Sequence, residues 1–268
     1  MMNLLFWCEF PERMNWEDLN SFFISHSFTA KIGVACTSRQ DFEEKKKSIE
    51  KYSNLNIAMA WPVLSKENGY WFSSQTERKD IDSLDQYKGM KIKLDIEPRI
   101  PNISSYKNNS FALYLWLFKQ LFMKGKNQQY LQEKITELSK TTDIMLSTFP
   151  FPDTILISLG MVFDKNMKYN YIFYSSFFPK PLRMLYRIYM HFFIKRKLKF
   201  SPETFFAAGL LTPGIFNDEP AYKNPGELEK DIKFLLKNNA KNIIIFQLNS
   251  FQELKNPSDW LYTIKKYL

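Results

Sequence analysis

The sequence lacks several features that define common protein classes. Its longest uninterrupted apolar run, Phe111 to Phe118, has eight residues, whereas a membrane-spanning helix needs ~20. The two cysteines, Cys8 and Cys36, are too few for a disulfide framework or a zinc site, and each lies in an apolar stretch, which predicts a buried free thiol. The first residues lack the basic and long apolar regions of a signal peptide. We therefore expect a protein of the reducing cytoplasm.

Histidine and glycine are also scarce, with two and eight residues. Both histidines, His26 and His191, fall in helical patterns, whereas metal-dependent barrels and Ser-His-Asp or Cys-His enzymes need histidine in the site. Neither G-x-x-x-x-G-K-[ST] nor G-x-G-x-x-G occurs, which disfavours nucleotide binding. Gly209 and Gly214 offer little for a sugar-phosphate loop. The sequence predicts a site without cofactor or metal.

The charge balance is strongly basic, with 37 Lys and Arg against 28 Asp and Glu, or +9. Such a balance suits an anionic partner, but it also suits a solvated surface. No nucleic-acid-binding motif accompanies it, so we expect no specific nucleic acid. Cations and apolar residues alternate in the segment 181–200. This segment is either an outer helix with its basic face in water or an amphipathic helix that lies on an anionic membrane.

Short apolar runs rich in β-branched and aromatic residues alternate with helical patterns along the whole chain. With 45% hydrophobic and 17% aromatic residues, the chain can bury a large core. The predicted strands span 3–10, 31–36, 56–63, 90–97, 142–148, 170–176, 202–210 and 242–248. The predicted helices span 16–25, 39–52, 110–123, 127–140, 181–197, 224–238 and 257–267.

This pattern predicts an α/β protein in which residues 1–268 form a single (β/α)8 TIM barrel. One strand every 33 or so residues is the spacing of such a barrel, and the continuous apolar strands suit burial on both faces. The alternative is an open doubly wound sheet, which needs a glycine-rich first turn. The first turn here is Glu9-Phe10-Pro11-Glu12, which disfavours that alternative.

The fourth predicted strand carries the most informative polar residues. Because side chains alternate along a strand, Lys91, Lys93, Asp95 and Glu97 should all point into the barrel. Two carboxylates at this spacing lie about 7 Å apart at their Cα atoms. Close like charges raise one pKa and give a general acid that works near neutral pH. The alternative is an internal ion cluster with the two lysines, without chemistry.

The Asp95-Ile96-Glu97 sequence at the end of this strand resembles the last part of the D-x-x-D-x-D-x-E motif of chitinase-like glycosidases. This resemblance implies a (β/α)8 barrel in which Glu97 protonates the glycosidic oxygen. It also implies that Asp95 orients the substrate's N-acetyl group, which serves as the nucleophile. Tyr174, after strand six, matches the tyrosine that supports the N-acetyl carbonyl in that family. Lys93 stands where the family has a further aspartate.

A second glycosidase pattern is also present. Many retaining barrel glycosidases carry an acid/base Glu followed by Pro at strand four and a nucleophilic Glu at strand seven. This chain has Glu97-Pro98 and, after strand seven, Asp218-Glu219-Pro220. However, Ile96 stands where that family has Asn, and Glu219 lies several residues into its loop. We rank this hypothesis second.

The leading hypothesis is a cofactor-free hydrolase of an oligosaccharide or glycoconjugate, with Glu97 and Asp95 as catalytic residues. The residues expected to bind the substrate are Glu9, Trp61, Trp71, Tyr174, Gln247 and Lys93. Each also has a structural alternative, such as an ion pair of Glu9 with Arg13 or core packing of the aromatic rings. The second hypothesis is a glycan-binding or scaffold barrel without catalysis. A third is membrane attachment through residues 181–200.

Overall fold

Eight parallel strands form a closed barrel in the computed structural model, which describes residues 2–99, 119, 125–215 and 219–268. Each strand pairs with the next, and β8 pairs with β1 from Asn3 and Asn242 to Trp7 and Phe246. The strands are β1 Asn3–Cys8, β2 Ala30–Cys36, β3 Leu55–Pro62, β4 Lys91–Asp95, β5 Asp143–Thr148, β6 Lys168–Phe173, β7 Phe205–Gly209 and β8 Asn242–Phe246. The predicted TIM barrel is confirmed, and each strand overlaps its predicted range.

The helices of the described residues are α1 Trp16–Ser25, α2 Arg39–Ile49, α3 Arg78–Asp82, α4 Gln128–Leu138, α5 Asp153–Ser158, α6 Lys180–Phe200, α7 Pro225–Lys237, α8 Ser250–Glu253 and α9 Pro257–Lys265. The short helices α3, α5 and α8 were not predicted, because four to six residues are too few to show a helical period. The predicted helix 110–123, which contains the apolar run Phe111 to Phe118, lies outside the described residues. None of the described helices is both long and apolar enough to cross a membrane.

Polar side chains begin the first two helices. Asn15 accepts a hydrogen bond from the backbone N–H of Asp18 at 3.2 Å, and Ser38 accepts one from Asp41 at 3.0 Å. These caps satisfy amide groups that have no partner inside the helix. They fix where α1 and α2 start and therefore how the first three strands are connected.

The strands separate two apolar cores. Ile92, Leu94 and Ile96 of the fourth repeat face outward and pack in the larger core beneath the helices. The smaller core fills the barrel interior and consists of Leu5, Trp7, Ala35, Trp61, Met145, Ile172, Tyr174, Ala207, Leu210, Ile244 and Phe246. The interior is thus packed with side chains up to the carboxyl ends of the strands, which we call the barrel mouth.

The indole of Trp7 fills space that only a glycine leaves free. A Cβ atom on Gly33 would lie 2.0 Å from Cζ3 of Trp7, and the β2–β3 register shifts at this glycine. Cys8 and Cys36 are buried, and neither forms a disulfide, which confirms the prediction of free thiols. Burial raises the pKa of Cys36 to about 11.

Candidate active site at the barrel mouth

The backbone that carries Asp95 and Glu97 is held on both sides. Phe72, in the loop after β3, accepts a hydrogen bond from the Glu97 N–H at 3.0 Å and donates its own N–H to Asp95 at 3.2 Å. On the other side, the Ile96 N–H donates to the Ser147 carbonyl at 2.8 Å. These bonds extend β4 by two residues, so the alternation that points Asp95 inward also places Glu97 at the mouth.

Asp95 has two strong partners inside the barrel. One carboxylate oxygen lies 2.9 Å from Nζ of Lys93. The other accepts a hydrogen bond from Nε1 of Trp61 at 2.5 Å. The ammonium of Lys93 also lies over the Trp61 ring, 3.4 Å from its centroid. Asp95 is therefore fixed in orientation, and Trp61, 2% exposed, contacts this ion pair rather than open space.

Lys93 and Asp95 point inward as predicted, whereas the prediction for Lys91 is wrong. Lys91 is exposed, because it is the first residue of β4 and lies at the rim opposite the mouth. The expected internal cluster with two lysines therefore has one. Burial lowers the pKa of Lys93, although Asp95 and Glu97 oppose this effect.

Glu97 is almost fully buried and sits among like charges. Burial raises its pKa well above the usual range, and the neighbouring Asp95 raises it further. Lys93 acts in the opposite direction, and Glu9 and Glu219 contribute smaller increases. A raised pKa favours the protonated form of a carboxyl group, which is the form that a general acid needs.

Glu9 follows β1 and is a second buried carboxyl group at the mouth. Burial, followed by the charge of Glu219, raises its pKa to about 8, and Tyr70 forms a hydrogen bond with its side chain. Among the described residues, Oε2 of Glu9 has no hydrogen-bond partner. The alternative pairing with Arg13 does not occur, since that guanidinium lies 3.9 Å from Glu12 and 4.2 Å from the Phe10 ring.

Glu219 reaches the mouth despite its position in the loop after β7. Its Oε2 accepts a hydrogen bond from the Gly214 N–H at 2.6 Å. A Cβ atom on Gly214 would lie 2.8 Å from that oxygen and 3.3 Å from Oε2 of Glu9. The expectation that Glu219 is too far along its loop is therefore wrong, because Glu219 lies close enough to Glu9 and Glu97 to raise the pKa of both. Asp218 lies outside the described residues.

Aromatic rings form much of the remaining wall. Tyr174 packs against Phe149, Phe177 and Phe246. Burial raises its pKa, and Glu97 is the largest electrostatic cause, so its hydroxyl is near that carboxyl group. Trp71 is half-buried, with its ring 5.5 Å from that of Tyr70.

Gln247 lies directly after β8 and is 1% exposed. Its amide nitrogen donates to the Pro213 carbonyl at 3.3 Å. Its oxygen Oε1 has no hydrogen-bond partner among the described residues. The amide nitrogen therefore holds the loop after β7, and the amide oxygen remains available as an acceptor.

Sequence reasoning missed Tyr70 as a partner of a site residue. Its neighbourhood was visible as the aromatic run after strand three, but its bond to Glu9 joins two loops 61 positions apart in the chain. Over the described ranges, no group of three or more His, Cys, Asp or Glu residues is arranged to hold a metal ion.

The fold is similar to that of a glycoside hydrolase domain. That domain belongs to PgaB (BpsB) from Bordetella bronchiseptica, and the match has a TM-score of 0.59 and 8% identity over 96% of this chain and 97% of that one. No family model and no curated protein matches the sequence. This match shows a shared barrel fold and does not point to the chitinase-like family in particular.

Proposed function

We propose that this protein hydrolyses a glycan, with Glu97 as general acid/base and Asp95 as its partner. The observation that carries the proposal is the buried Asp95–Glu97 pair at the end of β4, in which the pKa of Glu97 is raised. The name of the PgaB glycoside hydrolase domain, which has the same fold, supports the reaction class. An oligosaccharide or glycoconjugate is the expected substrate.

The proposed reaction begins with the protonated Glu97. Its proton passes to the glycosidic oxygen as the bond from that oxygen to the anomeric carbon breaks. The carboxylate that remains then takes a proton from the water that attacks the anomeric carbon. Asp95, held by Lys93 and Trp61, is the group placed to orient an N-acetyl substituent beside the reacting carbon. The water supplies the hydroxyl group of the new reducing end, and Glu97 ends in its initial state.

Acceptors without a partner give the mouth capacity to bind sugar hydroxyl groups. Oε2 of Glu9 and Oε1 of Gln247 are buried and lack a hydrogen bond within the described part of the chain. Buried polar atoms usually have a partner, and a hydroxyl donor would supply one. Trp71 and Tyr174 are aromatic faces against which a sugar ring can pack. We therefore propose these four residues as substrate contacts.

The test is hydrolysis of a panel of N-acetylated and unmodified oligosaccharides by the wild type, Glu97→Gln and the exposed-site control Glu12→Gln. Glutamine has the shape of the protonated acid, so Glu97→Gln should stay folded while losing about 10²–10⁴-fold in rate. Glu12→Gln should keep full activity. Cleavage that survives in Glu97→Gln would refute the role of Glu97. Cleavage confined to N-acetylated substrates would support the role of Asp95.

The second candidate function is a glycan-binding or scaffold barrel without catalysis. The observation that favours it is the Lys93–Asp95 ion pair, because it neutralises a carboxylate beside the proposed acid. This hypothesis predicts that wild type and Glu97→Gln bind the same oligosaccharide, as measured by calorimetry, and that neither cleaves it.

A further inference from the structure

One helix carries an apolar face that the described part of the chain leaves exposed. Exposed large apolar residues are scattered elsewhere in the described chain, but six of them lie between residues 182 and 192 of α6. They are Leu182, Met184, Leu185, Ile188 and Tyr189 in the first half of the helix and Phe192 just beyond it, and we call them the α6 apolar face. At 3.6 residues per turn they fall within an arc of about 160°. Contiguous exposed apolar surface of this kind marks a site of interaction.

This face points away from the barrel. The residues of α6 that pack inward are Met190, Phe193, Ile194 and Lys197. On the helical wheel, Leu182 and Tyr189 border that inward arc, and the other four residues of the α6 apolar face lie about 80° or more from it. Met184, Leu185, Ile188 and Phe192 therefore form a second face that is directed away from the packed side of the helix.

Ion pairs and a hydrogen bond hold the helix in this orientation. Arg187 lies 2.6 Å from the buried Asp231 of α7, and Arg183 lies 3.1 Å from Glu227 on the same helix. The hydroxyl group of Tyr189 donates to the Pro150 carbonyl at 2.5 Å. The α6 apolar face is thus a fixed part of the fold, and binding there requires no rearrangement of the helix.

The charges on α6 indicate what the face contacts. The helix contains seven Lys and Arg residues and no Asp or Glu. Four of these cations are paired with carboxylates of other helices. Lys180, Lys195 and Lys199 are exposed and have no carboxylate partner within the described residues. Lys195 and Lys199 lie in the same arc as the α6 apolar face, one to two turns further along.

An apolar strip between unpaired lysines matches the surface of an anionic bilayer. The apolar side chains enter the boundary between headgroups and acyl chains, while the lysine stems extend their charges to the lipid phosphates. A second copy of this chain fits less well, because two helices of the same strong positive charge would face each other. We propose that the α6 apolar face, with Lys180, Lys195 and Lys199, docks this protein on an anionic lipid surface. This proposal is independent of the proposed catalysis.

The experiment is co-sedimentation of the full chain with vesicles of phosphatidylcholine alone or mixed with phosphatidylglycerol. We expect binding to the mixed vesicles that is at least about tenfold tighter than to phosphatidylcholine and that weakens as salt is added. The double variant Met184→Glu/Phe192→Glu should lose about tenfold or more in binding. Its matched control is Tyr262→Glu on α9, since Tyr262 is as exposed as Phe192 at 67%.

A charge variant separates the contribution of the lysines to vesicle binding from that of the apolar side chains. Lys195→Glu/Lys199→Glu should remove the preference for the mixed vesicles while leaving the apolar face intact. All the substituted side chains are exposed, so thermal unfolding should show that each variant keeps its fold. The proposal fails if the wild type does not bind the mixed vesicles, or if Met184→Glu/Phe192→Glu binds them as well as Tyr262→Glu does. It also fails if the wild type forms a dimer that the apolar-face variant dissociates while neither binds vesicles.

Discussion

Replacement of Glu9 by glutamine should change how the stability of the protein depends on pH. The folded protein holds this carboxyl group with a pKa of about 8, against an ordinary value of 4.5. Between these two pH values the folded state binds more protons at Glu9 than the unfolded chain does. Stability therefore falls as pH rises through this window, because the buried carboxylate must form without a full set of partners. Glutamine has no proton to lose and removes this dependence.

The size of the effect follows from the two pKa values. Between them, each pH unit changes the free energy of unfolding by about 1.4 kcal/mol. From about pH 5 to about pH 7, the linkage relation gives a loss of about 2.5 kcal/mol from Glu9 alone. Glu9→Gln should therefore gain about 2.5 kcal/mol in free energy of unfolding relative to the wild type across that interval. The Tyr70 hydroxyl group keeps an oxygen acceptor in the variant.

Urea denaturation of both proteins at a series of pH values measures this difference. The contributions of other titrating groups cancel in the comparison to the extent that they are independent of Glu9. Glu12→Gln changes an exposed carboxylate three residues further along the chain. This variant is the control and should follow the wild type. A difference between wild type and Glu9→Gln that stays within about 0.5 kcal/mol over the interval would refute the argument.

Three further predictions concern the barrel itself. Gly33→Ala should destabilise the protein by about 1–3 kcal/mol in urea denaturation, because the new methyl group overlaps the Trp7 ring. Lys93→Met should cost about 3–5 kcal/mol in the same measurement, since it leaves Asp95 buried without its cation. The two buried thiols should not react with a disulfide reagent in the native protein near pH 8, because Cys36 has a pKa of about 11 and is not accessible.

Each of these predictions has a control. Gly226→Ala, at an exposed position of α7, should change stability little, and an equal loss at Gly33 and Gly226 would contradict the packing argument. Lys91→Met tests the same strand at an exposed position and should stay within about 0.5 kcal/mol of the wild type. Full reaction of both thiols is expected only after denaturation, and fast reaction of the folded protein would contradict their burial.

The strands and the inward direction of Asp95 and Glu97 could be predicted because they depend on local pattern. A strand has a period of two wherever it lies, so the alternation in β4 predicts which polar side chains point into the barrel. Lys91 is exposed because it is the first residue of the paired region, and a period of two does not show where that region begins.

The electrostatics of the site depended on contacts between distant parts of the chain. Glu9 is buried beside Tyr70 from the loop after β3 and near Glu219 from the loop after β7. Neither loop has a repeating pattern, and its course is fixed by bonds such as that from the Gly214 N–H to Glu219. A bond of this kind follows no repeating sequence pattern, so sequence spacing alone misplaced Glu219.

The sequence by itself determined the eight-strand barrel and the Asp95–Glu97 pair, because both follow from short-range alternation of apolar and polar residues. Only the tertiary structure decided that Glu9 and Glu219 lie near this pair. It also decided that Trp61 contacts Lys93 and Asp95. The tertiary structure also decided that α6 has an uncovered apolar face, since a helical pattern shows which residues share a face but not what packs against it. Burial and charge proximity are properties of the closed fold, and they set the chemistry of the site.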